Sequence, residues 1–285
     1  MTYCRVPEVS MEKQKALQLR IGGIFGNLYT SGKSSTVVLY GKGAPSVPDS
    51  GKLKEARIVS AYKTDIFVPD YIGYGRSDGL FTPMNCIRTF LIMRKYLLSG
   101  AIGINYGERI RKKLEYKRVI IIGKSFGGRY VSLLPKFNKE IREIGLFSPA
   151  LETSAYGKGE ESNEDFFRVM EKDGYSHMYR GVLSKKWKRH LEDIDALAPI
   201  KNIRHLGMAK IFIAHGMEDK SIRFSRSVSY YKRILDEFPE KEKSSIKLRL
   251  YRNVGHEGLG ARAIADCMDW FGVEREFASS CTTGS

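Results

Sequence analysis

The sequence predicts an α/β fold, a mostly parallel eight-stranded sheet covered by helices on both faces. Short, nearly continuous apolar runs rich in β-branched residues alternate with stretches of helical periodicity, the pattern of parallel strands joined by helical crossovers. The chain has 285 residues, 42% hydrophobic and 28% charged, the make-up of an ordinary globular protein able to bury a core of its own.

Ala16 to Ile21 and Ile24 to Thr30 predict a hairpin turning at Gly22 and Gly23. Thr36 to Tyr40, Thr64 to Val68, Arg118 to Gly123, Glu143 to Phe147, Lys210 to Ala214 and Ile246 to Tyr251 read as strands. A helix is expected from Thr82, an N-cap followed by Pro83, through Ile87, Phe90, Leu91 and Met93 toward Leu97. Another is expected after Arg223, where Phe224, Val228, Tyr231, Leu235 and Phe238 trace one apolar face until Pro239 stops it. Between Leu151 and Leu206 no strand is visible. Helical pieces around Glu164 to Glu171 and Val182 to Leu191 mark this segment as an inserted helical cap, residues 151–206, after the sixth strand, with 1–150 and 207–285 forming the core.

The charge is the one unusual total: 48 Lys and Arg against 32 Asp and Glu, a net +16. The densest runs, Arg109 to Arg118 and Lys185 to Arg189, lack the interleaved aromatic residues that nucleic-acid binders stack on, so a solvated face is expected and no nucleic-acid partner. The longest purely aliphatic run, Val119 to Ile122, is far below the ~20 residues of a membrane span, and the first thirty residues lack a signal-peptide pattern. Cys4, Cys86, Cys267 and Cys281 are widely separated, which predicts free thiols in a reducing, cytoplasmic compartment. No His, Cys or Asp spacing suggests a metal site, and there is no dinucleotide or Walker glycine pattern, so no cofactor is expected.

The strand ending in Gly123 runs straight into Lys124, Ser125, Phe126, Gly127 and Gly128 and then into an amphipathic stretch. This GxSxG in a strand, turn, helix context is a nucleophile elbow: small residues on either side let the backbone turn sharply and thrust the hydroxyl out of the sheet edge. A serine hydroxyl needs a base and a carboxylate to orient that base. His256, in the loop after the last strand, is the expected base. Glu218 and Asp219 follow the preceding strand, and Asp219 is the preferred acid. His215 ends a strand and is expected to be structural. His177, His190 and His205 are expected at the surface of the inserted segment.

With these residues in place, the chain resembles the α/β-hydrolase fold superfamily, and within it the small-cap branch of serine aminopeptidase-like and monoacylglycerol lipase-like hydrolases. VVLYGKGAP resembles the strand and oxyanion loop, VPDYIGYGRSDG the Pro-Asp and glycine-rich segment, GKSFGG the elbow, and IAHGMEDKSI with VGHEG the acid and base loops. The resemblance spans roughly residues 16 to 272, the cap excepted. It implies Ser125 as nucleophile, His256 as base, Asp219 as its orienting acid, and the backbone N–H groups of Phe126 and Lys42 as the oxyanion hole. Where the family has His-Gly, this chain has Tyr40 and Gly41, which leaves Lys42 and Gly43 as alternatives for the second donor.

The expected reaction is hydrolysis of a carboxylic ester through an acyl-enzyme, on a small-molecule acyl substrate. Arg129 and Lys124 beside the elbow point to anionic acyl groups. Two alternatives remain: an aminopeptidase-like amide hydrolase, and an idle hydrolase fold that binds an anionic partner. The aromatic residues of the inserted segment, Tyr156, Phe166, Phe167, Tyr175, Tyr179 and Trp187, are expected either to line an acyl pocket or to pack the cap onto the sheet.

Overall fold

The computed structural model describes residues 16–30, 32, 34–56, 60–152, 163–241 and 245–275. Ten strands form one sheet: β1 (Leu17–Ile21), β2 (Ile24–Tyr29), β3 (Thr36–Gly41), β4 (Thr64–Pro69), β5 (Ala101–Asn105), β6 (Ile110–Leu114), β7 (Arg118–Lys124), β8 (Glu143–Phe147), β9 (Lys210–Gly216) and β10 (Ile246–Tyr251). The helices are α1 (Pro83–Ser99), α2 (Phe126–Val131), α3 (Leu134–Phe137), α4 (Asn163–Lys172), α5 (Lys185–Leu191), α6 (Phe224–Glu237) and α7 (Gly260–Trp270). Thr82 caps α1 as expected, its hydroxyl accepting from Asn85 N, and Gly100 closes it in the left-handed conformation. No helix among the described residues is long and apolar enough to cross a membrane.

The strand order is β10-β9-β8-β7-β3-β4-β2-β1-β5-β6. From β10 to β4 every neighbouring pair is parallel, and from β4 to β6 every pair is antiparallel. The parallel strands are buried on both faces because successive side chains alternate between two cores. Val37, Leu39 and Ile121 pack with α1 and α6. Val38, Tyr40, Ile120 and Ile122 pack with Ala263, Ile264, Cys267 and Met268 of α7. Cys86 and Cys267 are free and buried; Cys4 and Cys281 lie outside the described residues.

The strand count corrects the expectation of eight. The additional pair, β5 and β6, is a hairpin at the far edge, and it absorbs part of the basic run expected to be merely a solvated face. Its second strand carries Arg111, Lys112 and Lys113, and only Leu114 is buried. An edge strand that turns charged side chains to water has no apolar alternation to announce it. The segment of helices α4 and α5 therefore follows the eighth strand in chain order, not the sixth.

Candidate active site

The turn after β7 is held in a strained conformation. Ser125 has φ 53° and ψ −119°, a backbone state that costs a non-glycine residue about 1–3 kcal/mol and persists only where its surroundings enforce it. They do so here. Ser125 N donates to Phe147 O on β8 at 2.8 Å, and Ser125 O accepts from Gly128 N at 3.0 Å and Ala150 N at 3.1 Å. The flanking glycines are required sterically: a Cβ on Gly123 would lie 2.4 Å from Gly127 O, and one on Gly127 would lie 2.4 Å from Gly41 O.

Asp219 follows β9 and is almost fully buried. Its Oδ1 accepts from Ser221 N at 2.9 Å and Ile222 N at 2.8 Å, and its Oδ2 lies 2.7 Å from His256 Nδ1. The same Oδ2 lies 3.2 Å from His215 Nε2. Burial pushes this carboxyl up. Hydrogen bonds from His215, His256 and the Ile222 amide outweigh burial and hold it well below the usual carboxylate range, so it is an anion at any working pH. His215 is buried, with Nδ1 2.7 Å from Ser227 Oγ and Nε2 2.8 Å from Ile222 O. Both of its nitrogens are engaged within the fold, the structural role expected of it.

His256 Nδ1 is turned to Asp219, and Nε2 is the ring nitrogen on the side away from that carboxylate. The segments of Ser125 and His256 are joined through their chain neighbours, since Lys124 Nζ and Glu257 Oε2 form an ion pair of 2.5 Å. Ser125 Oγ and the His256 ring share no hydrogen bond.

The loop after β3 reaches the elbow. A Cβ built on Gly43 would lie 3.1 Å from Ser125 Cβ and 3.5 Å from Ser125 Oγ, so Gly43 passes close to the serine side chain. Lys42 turns its ammonium away, to Val47 O at 2.8 Å, and its carbonyl accepts from the Tyr71 hydroxyl at 2.9 Å. Phe126 is the first residue of α2. Tyr40, in the place of the family's histidine, is buried with its hydroxyl 3.4 Å from Glu55 Oε1. Tyr71 braces the loop, a residue the motif match included without giving it a role.

Two expectations are corrected. His190 is wholly buried, not on the surface. Its Nε2 accepts from Arg129 Nε at 3.0 Å and lies 3.0 Å from the Tyr130 hydroxyl, while its Nδ1 lies 2.9 Å from Asp195 Oδ2. Burial, reinforced by Arg129, pulls this imidazole down to about 4. His177 is exposed and His205 half-buried. Secondly, Arg129 beside the elbow is not available to an anionic acyl group. Arg129 is completely buried and pairs with Asp193 Oδ1 at 2.6 Å, and Lys124 pairs with Glu257.

The aromatic residues of the inserted segment divide. Tyr179 and Trp187 are fully buried and pack the segment onto the core: Trp187 stacks on Phe81 at 4.7 Å and on Phe126 at 5.9 Å, and its indole N–H donates to Phe81 O at 2.8 Å. Phe167 and Tyr175 pack at the margin of that core. Tyr156 and the side chain of Phe166 lie outside the described residues. Among the described residues no group of three or more His, Cys, Asp and Glu has the geometry to hold a metal ion.

No protein-family model and no curated protein matches this sequence. Solved structures do match in shape. The esterase Pf2001 of Pyrococcus furiosus aligns with a TM-score of 0.58 at 16% identity, over 90% of this chain and 89% of that one. Est1E of Butyrivibrio proteoclasticus, with ferulic acid bound, aligns with a TM-score of 0.61 at 15% identity, over 90% and 99%. A puromycin-hydrolysing peptidase of Mycobacterium tuberculosis aligns with a TM-score of 0.63 at 12% identity, over 94% of this chain and 41% of that one. Together with the topology and the elbow, these likenesses establish that the chain has the α/β-hydrolase fold.

Proposed function

We propose that this chain is a serine hydrolase that cleaves a carboxylic ester through an acyl-enzyme. The observation that carries the reading is the hydrogen bond between the buried Asp219 carboxylate and His256, at the sheet edge that also carries a serine in a strained elbow. In the proposed first step His256 Nε2 takes the Ser125 proton as Oγ attacks the acyl carbonyl. The backbone N–H groups of Phe126 and of Lys42 or Gly43 hold the oxyanion, and His256 returns the proton to the leaving alcohol. Water then repeats the sequence on the acyl-enzyme. Asp219 fixes the Nδ1–H tautomer and stabilises the imidazolium. Residues 151–206 act as a cap of the small-cap type, limiting the acyl group.

The Pyrococcus neighbour is an esterase and the mycobacterial one a peptidase, so the test sets esters beside amides. A fluorophosphonate is expected to label Ser125 and to leave Ser125→Ala unlabelled. Short p-nitrophenyl esters are expected to turn over faster than aminoacyl anilides. Folded protein that neither reacts with the fluorophosphonate nor cleaves the esters overturns the proposal. Faster turnover of the anilides replaces the ester reading with the amide one.

A further inference from the structure

The sheet edge opposite Ser125 holds a recess of about 470 Å³. Its floor is a row across four consecutive parallel strands. Ser245 stands before β10, Lys210 at the start of β9, Arg142 and Glu143 at β8, and Lys117 and Arg118 at β7. At the usual strand spacing of about 4.8 Å the row is about 14 Å long. Arg94 on α1 closes one side.

Five cations and two carboxylates line the recess, a net charge of +3. The carboxylates are already committed. Glu143 receives both arms of Arg118, at 2.8 and 2.6 Å, and Glu140 meets Arg94 at 3.3 Å. Lys210 Nζ donates to Trp270 O at 2.7 Å and sits 4.7 Å from the centre of that indole, and it meets no carboxylate among the described residues. Lys117 and Arg142 are exposed and have no ion pair or side-chain hydrogen bond among the described residues. Two cations without a carboxylate partner, Lys117 and Arg142, thus border one concavity, while the Lys210 ammonium is turned to Trp270 and Phe271 on the α7 side, and Leu98, Val119 and Met208 give the recess an apolar wall.

We infer that this recess is a binding site for a small organic phosphate monoester, its dianion held by Lys117 and Arg142 and its organic part against the apolar wall. A dianion answers most of the +3, and guanidinium and ammonium donors match phosphate oxygens. A simple solvated face scatters its cations over convex surface with their tips apart. Here neighbouring strand ends hold them around one hollow. The seven residues of β7 span about 20 Å between this edge and Ser125, so the site is separate from the proposed catalytic one and does not depend on it.

The test is calorimetric titration of the full chain with phenyl phosphate at low ionic strength. One saturable site is expected, unchanged in Ser125→Ala and weakened at least tenfold in Lys117→Glu/Arg142→Glu. The exposed pair Lys185→Glu/Lys186→Glu, which removes the same charge elsewhere, is expected to leave the affinity unaltered. Phenyl phosphate is also expected to raise the melting temperature of the parent protein and of the control pair, and not that of the site variant. Absence of saturable binding overturns the inference. So does an equal loss in the control pair, which reports only the net charge of the molecule, or binding of phenol as tight as that of phenyl phosphate. Vesicles of phosphatidic acid in phosphatidylcholine separate the sources of the monoester: co-sedimentation lost in Lys117→Glu/Arg142→Glu identifies a lipid headgroup, and no co-sedimentation identifies a soluble ester.

Discussion

The molecule holds two histidine–carboxylate pairs whose geometry at Nδ1 is nearly the same. His256 is 2.7 Å from Asp219, and His190 is 2.9 Å from Asp195. They differ at the other nitrogen. Nε2 of His190 is occupied by Arg129 and faces Tyr130, in a site sealed from water. His256 keeps 15% of its side chain exposed at the open edge of the sheet. A carboxylate-oriented imidazole is therefore not by itself a catalytic base. What surrounds its second nitrogen decides whether it can exchange a proton or only hold two segments together.

The largest expected effect falls on the pair at the sheet edge. Ser125→Ala or His256→Ala is expected to reduce kcat for ester hydrolysis by about 10⁵- to 10⁶-fold, with the melting temperature little changed. Asp219→Asn removes the charge that supports the imidazolium and is expected to cost about 10⁴-fold in kcat. A loss below tenfold for Asp219→Asn, measured on the same ester, would erase the distinction between the two pairs.

The surroundings of His190 are expected to respond in stability instead. Arg129→Met leaves the buried Asp193 carboxylate without its cation and is expected to destabilise the fold by about 3–5 kcal/mol in urea denaturation, since breaking a buried pair strands the remaining charge. A second consequence follows from the sign of the His190 shift. Its folded value, about 4, lies below the ~6.5 of an unfolded chain. Between those values the unfolded state binds more protons, so stability is full above pH 6.5 and falls as the pH drops toward 4. The loss is about 3 kcal/mol at most. His190→Gln, which keeps an acceptor for Arg129, is expected to flatten this stretch of the stability–pH curve while leaving kcat at neutral pH within a few-fold. If the curve is as steep in the variant, another group carries the acid sensitivity.

The smallest effect belongs to the link between the two loops. Glu257 is 83% exposed, and exposed ion pairs contribute about 0–1 kcal/mol. Glu257→Gln is therefore expected to leave the melting temperature nearly unchanged and to alter kcat by only a few-fold. A drop of a hundredfold or more in steady-state kinetics would give this pair a larger part in bringing His256 to Ser125.

Most of the architecture was legible in order along the chain. Parallel strands such as Arg118–Lys124 and Lys210–Gly216 are continuous apolar runs because both faces are covered. The helix expected before Pro239 forms as α6, but its fully buried residues are Ser227, Tyr230 and Ile234, while Phe224, Val228, Tyr231, Leu235 and Phe238 of the expected stripe are only half-buried. The hairpin of β5 and β6 was not legible, because its outer strand exposes charge and packs little. The positions of Ser125, Asp219 and His256 were legible, each after its own strand end where the fold requires a turn. His190 and Arg129 were misjudged for one reason: polarity along the chain predicts exposure, and only the tertiary partners Asp193, Asp195 and Tyr130 make their burial tolerable.

The sequence by itself determined the order of strands and helices, the glycines that permit the elbow, and the polar residues available at the carboxyl edge, because these depend on local periodicity and sterics. Tertiary structure alone decided that His256 and not His190 faces the open edge, that Gly43 passes close to the Ser125 side chain, and that Lys117, Arg142 and Lys210 border one recess. These are matters of which distant strand ends become neighbours, set by sheet order and by the pairing of buried charges rather than by any pattern along the chain.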